Sequence, residues 1–210
     1  MKNKLYIVGA GGFGREVYQW LQDERRLLQD YEFVGFLDDD LAALSGLDLG
    51  HSVVAPLKGF PLGAHDFFIC GIGSVEWKRR LCQPMLHQGA RFLSLVHPTA
   101  LIGRGVTLGD GVVVCPRVTL TCDVRVGAMS MINCHSSAGH DVVIGDWCTI
   151  GAHCDLTGGT SLGQGVFLGS GVRVIPSKTI GSSSTVGAGS VVIRNVAPET
   201  RVFGNPARVF

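Results

Sequence analysis

The chain predicts two folds in series: a small α/β unit with a parallel sheet, then a triangular parallel β-helix. Three observations carry this expectation. From Leu101 to Val196 the sequence repeats every six residues without an insertion. Before that stretch, strand-like and helix-like apolar patterns alternate. The first of those strands runs directly into the segment GAGGFG, which opens a helix.

The repeat divides as LIGRGV, TLGDGV, VVCPRV and so on to VVIRNV, sixteen hexads in all. The second position is Ile, Leu or Val in 15 of them, with Ala138 the exception, and the third is Gly in 10. The sixth is Val, Ser, Cys or Thr in all but one, Lys178. A period of six fits neither an amphipathic helix nor a plain alternating strand. It fits a short strand and a tight corner, repeated, with one large aliphatic and one small residue pointing inward on each face. Three faces close a coil of 18 residues, and coils stack at the ~4.8 Å spacing of neighbouring strands. Sixteen hexads give a little over five coils.

The elements before the repeat follow in order. KLYIV is a strand, and after the glycine loop comes a helix with apolar residues at Phe13, Val17, Trp20, Leu21 and Leu28. EFVGFLDDD is a second strand ending in acids, residues 45–64 are irregular, and DFFICGIGS is a third strand. VEWKRRLCQPMLHQ reads as a helix that Pro84 should kink or shorten. RFLSLV is a fourth strand. These spans predict three segments: a Rossmann-like half-domain over 1–96, the β-helix over 97–196, and a C-terminal tail over 197–210.

Composition removes several function classes. A net charge of +1 gives no sign of a nucleic-acid or membrane-surface partner. No apolar run reaches the roughly 18 residues of a membrane span, and the N-terminus enters a glycine loop in place of a cleavage site. Seven cysteines without a CxxC pair suit a reducing, cytoplasmic location. Cys148 and Cys154 fall at the small inward position and read as core, while Cys115, Cys122 and Cys134 lack zinc spacing, so no metal site is expected. Thirty glycines, about twice the usual share of roughly 7%, imply many positions with φ > 0 or close backbone approach.

The loop from Gly9 to Gly14 matches G-x-G-x-x-G, and Asp38 lies 24 residues further on. A dinucleotide such as NAD is the first ligand this suggests. A half-size unit followed directly by a β-helix leaves no second nucleotide half, however. The same loop and helix N-terminus suit the diphosphate of a nucleotide-linked sugar. Asp38 and Asp39 would then accept hydrogen bonds from ribose or base.

The segments VGAGGFGREV, FLDDD, VHPTALIGRGVTLGDGV, GHDVVIGDWCTIG, VGAGSVVIRNV and VFGNPARV resemble the bacterial sialic acid O-acetyltransferase family. Related to it are N-acetyltransferases acting on UDP- or GDP-linked amino sugars, and the resemblance covers essentially the whole chain. It implies a homotrimer of left-handed β-helices with acetyl-CoA lying between subunits, an arrangement that cyclic symmetry permits. It also implies His140 as catalytic base, with Asp141 raising its basicity. Thr149, Gly158, Gly169, Ser170 and Ala188 would line the acetyl-CoA path, although relatives often carry a histidine where Thr149 stands. Gly12, Phe13, Gly14, Asp38, Asp39 and Gly73 would hold the nucleotide sugar.

The residues support that chemistry independently. His140 occupies the fourth hexad position, outside the two inward ones, and imidazole is the base that is neutral near pH 7. Adding 18 residues to His140 lands on Gly158, whose bare amide would sit one coil away, ready for an oxyanion. His135 and His153 are also 18 apart, and read as a stacked pair at an interface. Arg173, Lys178, Arg194 and Arg208 stay open between CoA-phosphate contacts and a solvated face. The expected activity is acetyl transfer from acetyl-CoA to the amine of a nucleotide-linked sugar in surface-glycan synthesis. O-acetylation of sialic acid or a related sugar, and a non-catalytic scaffold with a nucleotide-sensing unit, are the alternatives.

Overall fold

The computed structural model describes residues 2–210, which form two compact units, one ending at Leu95 and the other beginning at Val96. The first unit is a five-stranded parallel sheet built from β1 (Asn3–Val8), β2 (Tyr31–Leu37), β3 (Val53–Ala55), β4 (Asp66–Cys70) and β5 (Arg91–Phe92), in the order β3-β2-β1-β4-β5. Leu5, Tyr6, Ile7 and Val8 are all buried, as expected for a central parallel strand covered on both faces. Helix α1 (Gly12–Asp23) buries Gly14, Val17 and Leu21. Helix α3 (Val75–His87) buries Lys78, Cys82 and Met85, and it is preceded in the chain by the four-residue α2 (Leu27–Asp30).

Several elements differ from expectation. The first helix ends at Asp23, and Leu28 lies in the separate α2. Pro84 does not shorten α3, which continues to His87. The proline lacks the N–H that would bond the Arg80 carbonyl one turn earlier, so the helix forgoes one hydrogen bond there and runs three residues further. The irregular stretch contains β3, three residues that pair with β2 and were hidden among glycines and prolines. RFLSLV is two pieces: Arg91–Phe92 joins β4, whereas Leu95–Val96 joins a sheet of the β-helix.

The second unit consists of three sheets of six, five and eight strands, parallel except for the last strand of the largest. Within the repeat each two-residue strand pairs with the one 18 residues away: Thr119 with Leu101 and Ser137, Arg125 with Thr107 and Val143, Met131 with Val113 and Thr149. The second and sixth hexad positions point inward, so Leu120, Ile132, Ile144, Ile150, Leu162, Val142, Cys148 and Val166 are all buried. Each fully buried aliphatic contributes about 1.5–3 kcal/mol before entropy is subtracted.

Serine and cysteine are tolerated inside because each finds a backbone partner. Ser130 Oγ donates to the Gly145 carbonyl at 2.8 Å and accepts the Cys148 N–H at 2.9 Å. Ser136 repeats this with Gly151 and Cys154. The two cysteine thiols donate to the Gly163 and Gly169 carbonyls at 3.1 and 3.2 Å. Burial pushes the Cys154 thiol up to about 11.

The glycines divide into two kinds. The fifth hexad position is a left-handed corner in every hexad but the last, held by Gly105, Gly111 and Gly159 but equally by Asp141 and His153 at φ 60° and 57°. The third position has ordinary φ, and glycine stands there because the next coil is too close. A Cβ on Gly145 would lie 2.7 Å from the Gly163 carbonyl carbon. The segment 197–210 supplies the strand Arg201–Phe203, parallel to Thr185–Val186, and the antiparallel strand Arg208–Val209.

Candidate active site

The corner between Ser137–Ala138 and Val143–Ile144 turns at Asp141, and this turn sets the His-Asp geometry. Aspartate adopts the left-handed conformation more readily than most residues. From there its Oδ2 lies 2.8 Å from His140 Nδ1. Both side chains are about two-thirds exposed, so the imidazole points away from the core. With the Asp141 carboxylate accepting from Nδ1–H, the proton-accepting lone pair is left on Nε2.

One coil further on, Gly158 meets the ring. A Cβ there would lie 2.3 Å from His140 Nε2, 2.7 Å from Cε1 and 2.8 Å from Cδ2. The imidazole therefore rests on the bare Cα of Gly158, and any side chain at that position would evict it. The backbone around the contact is fixed: the Gly159 N–H donates to the His140 carbonyl at 2.8 Å, and the Gly158 carbonyl accepts from Ser177 N–H at 3.0 Å. The Gly158 N–H itself donates to no group among the described residues. A base and an unspent amide donor stand side by side. That pairing suits proton removal from a nucleophile together with stabilisation of the oxyanion it creates.

The other residues expected along the acetyl-CoA path sit elsewhere on the coil. Ser170 and Ala188 are exposed and stack one coil apart at a different corner, tied by the Gly189 N–H to the Ser170 carbonyl at 2.8 Å. Gly169 is buried, and its missing Cβ makes room for the Ala188 amide. Thr149 is only 3% exposed, which sets it apart from an open ligand surface. His135 and His153 do stack, with ring centroids 4.9 Å apart and planes 7° from parallel, on the same corner column as Ser170 and Ala188.

In the α/β unit the strand ends converge on a crevice. Strand β1 is flanked by β2 on one side and β4 on the other, the topological switch point where ligands of such sheets bind. Two helix N-termini open there, α1 capped by Gly11 and α3 by Ser74, whose side chain accepts from Trp77 N–H. Gly11 and Gly12 are exposed, and a Cβ on either would meet no clashing atom. Gly14, in contrast, is buried, and its Cβ would lie 2.0 Å from the Gly9 carbonyl oxygen. It presses the helix onto the sheet. Phe13 packs edge-on against Trp20 of its own helix, 5.8 Å between centroids.

The two acids are partly committed. Asp38 takes the Ala10 N–H on Oδ2 at 2.8 Å and the Asp40 N–H on Oδ1 at 3.0 Å, so it braces the glycine loop. Asp39 takes the Lys58 N–H on Oδ1 at 2.9 Å. Asp38 and Asp39 line a cleft of about 240 Å³ together with Gly9, Leu37, Leu57, Trp77 and Leu81. Gly73 is half-buried immediately before the α3 cap. Trp77 and Arg80 were not anticipated. Their spacing of three on an amphipathic helix was the available signal, since it puts both on one face. Among the described residues no group of three or more His, Cys, Asp or Glu side chains is placed to hold a metal ion.

Comparison with known proteins agrees with both halves. Residues 4–85 match the PglD N-terminal domain family, and residues 141–176 match the hexapeptide repeat of succinyl-transferase. The solved structure of PerB from Caulobacter crescentus, in complex with CoA and GDP-perosamine, is 30% identical with a TM-score of 0.85, the likeness covering 99% of this chain and 97% of that one. The chain belongs to the hexapeptide-repeat N-acetyltransferases of nucleotide-linked amino sugars. Its β-helix is accordingly of the left-handed class. A GDP-perosamine N-acetyltransferase of Escherichia coli O157:H7 is 29% identical over 151 residues, which is 70% of this chain and 66% of that relative's length. The acetyltransferase domain of PglB from Neisseria gonorrhoeae FA1090, in complex with acetyl coenzyme A, shares the fold over 100% of both chains with a TM-score of 0.88 at 24% identity.

Proposed function

We propose that this family member transfers the acetyl group of acetyl-CoA to the amine of a nucleotide-linked (UDP or GDP) sugar, with His140 as general base and without a covalent enzyme intermediate. The observation that carries the reading is the contact of His140 Nε2 with the bare Cα of Gly158, beside an unspent amide. Asp141 holds Nδ1 protonated, so Nε2 accepts the proton as the sugar nitrogen attacks the thioester carbonyl carbon. The developing oxyanion takes the Gly158 N–H. When the C–S bond breaks, the departing thiolate recovers the proton from His140.

The crevice of the α/β unit binds the nucleotide sugar in this reading, its diphosphate against the open N-terminus at Gly11 and Gly12. Ser170 and Ala188 line the pantetheine arm. Those two residues and His140 stand on different corners of the coil, so one acetyl-CoA molecule reaching both needs the corner of a neighbouring subunit. A homotrimer supplies it, and light scattering at about three times the mass of one chain is the expected result. Seven free cysteines suit a cytoplasmic location, and no helix among the described residues is long and apolar enough to cross a membrane.

Release of the CoA thiol, followed with UDP- and GDP-linked amino sugars and with free and CMP-linked sialic acid, tests the reaction. Turnover confined to the amino sugars is expected. Turnover only with sialic acid would replace the reading with O-acetylation, and none with any acceptor would favour a nucleotide-sensing scaffold.

A further inference from the structure

The cleft beside Asp39 continues under α3 into a second one of about 400 Å³, and the two share Asp39, Leu57 and Leu81. Trp77 lines the first part and remains 49% exposed, a large aromatic left open beside the glycine loop. The Arg80 guanidinium sits 4.9 Å from the Trp77 ring centroid and lines the second part. An apolar floor, an open indole, a cation and a carboxylate thus border one continuous groove that starts at Gly9. The acetyl transfer proposed above uses only the glycine-loop end of this groove and gives no part to Trp77 or Arg80.

A flat π-system is what an open indole and a guanidinium plane accept. The carboxylate decides which one. Asp39 Oδ1 is pinned by the Lys58 N–H, which fixes the carboxylate plane while Oδ2 and the remaining lone pairs stay available. Guanine alone among the common bases carries two adjacent donors, N1–H and N2–H, on its pairing edge. Uracil offers a single N–H between two carbonyl oxygens that a carboxylate repels, while cytosine and adenine each set an acceptor beside their donor. Arg80 offers donors to acceptors such as guanine O6 and N7.

Resting on the reading of the α/β unit as the nucleotide-sugar site, we infer that Trp77, Arg80 and Asp39 form a nucleobase subsite that selects guanine, and hence a GDP-linked substrate. Titration calorimetry of the full chain with GDP, UDP, CDP and ADP tests this without any acetyl transfer. GDP is expected to bind at least about tenfold more tightly than the others. Trp77→Ala should weaken GDP binding about tenfold or more. Asp39→Asn keeps an oxygen for the Lys58 N–H, so the loop stays folded, yet it should bring the GDP-to-UDP affinity ratio close to one.

Equal or tighter binding of UDP by the unaltered protein would overturn the assignment. So would the absence of binding by any nucleotide, or an unchanged GDP affinity in both variants. The two readings fail separately. Selective GDP binding in a protein that acetylates no sugar sinks the reaction and leaves this subsite standing. Acetylation that prefers a UDP-linked sugar does the reverse.

Discussion

In the β-helix, Ile144 has Val126 and Leu162 as strand partners one coil to either side, and the inward strand residues of the other middle coils have such a pair of equivalents. In the α/β unit no position has an equivalent: Phe68 touches Tyr6, Phe60 and Phe92 at three different angles, and Phe36 meets Tyr18 and Phe33 in another arrangement. A periodic core assigns each residue a rule, so a departure from the rule is visible. An aperiodic core has no rule to depart from, and a ligand-facing side chain there resembles any other. His140 and Gly158 stood out in the first region, and Trp77 went unnoticed in the second.

The sharpest way to break that comparison is to remove the outward histidine. His140→Ala should lower turnover by about 10² or more, with the thermal midpoint unchanged because the side chain is exposed; CoA-release kinetics and a melting curve check both halves. Next come two glycines of the same stack. Gly145→Ala drives a Cβ into the backbone of the following coil, 2.7 Å from the Gly163 carbonyl carbon, and should destabilise the fold by about 1–3 kcal/mol in a denaturant titration. Gly158→Ala collides with the movable imidazole, so turnover should fall about tenfold or more with a smaller loss of stability. If both variants lose stability equally, Gly158 is only a packing residue.

A smaller effect is expected at the corner itself. Asp141→Asn retains a residue suited to the left-handed conformation. It should still slow turnover about tenfold or more by unfixing the ring tautomer, with circular dichroism unaltered. The mildest test concerns thiols. Burial holds the Cys154 thiol near 11, so at pH 8 about one molecule in a thousand carries the thiolate. Cys122 is exposed. A thiol reagent should label Cys122 in the native protein and reach Cys154 only after unfolding, as peptide mapping would show.

Much of this was legible beforehand because a six-residue repeat constrains position so tightly. The inward placement of Leu120 and Cys148, the outward placement of His140, the approach of Gly158 and the stacking of His135 on His153 all follow from counting by 18. The loop between β1 and α1 was legible as a motif, though its residues were less so. Gly14 matches the fingerprint as well as Gly12 does, yet one is wedged against the Gly9 carbonyl and the other is open. Asp38 reads as a ligand acid, and its second task, bracing the loop through the Ala10 and Asp40 amides, was not legible. Strand β3 and the break after Asp23 were missed because three residues or a single cap carry too little pattern to register.

The sequence alone determined the two architectures, the phase of every inward side chain in the β-helix, and the meeting of an imidazole with a bare glycine. Period and spacing are one-dimensional quantities, and stacked identical coils convert them directly into contact. Only the tertiary structure decided which glycines of the loop are free, that Thr149 is covered, and that Trp77, Arg80 and Asp39 share a groove. The last of these joins segments separated by about forty residues, and their meeting depends on how a helix and a loop pack across a sheet, which no local spacing encodes.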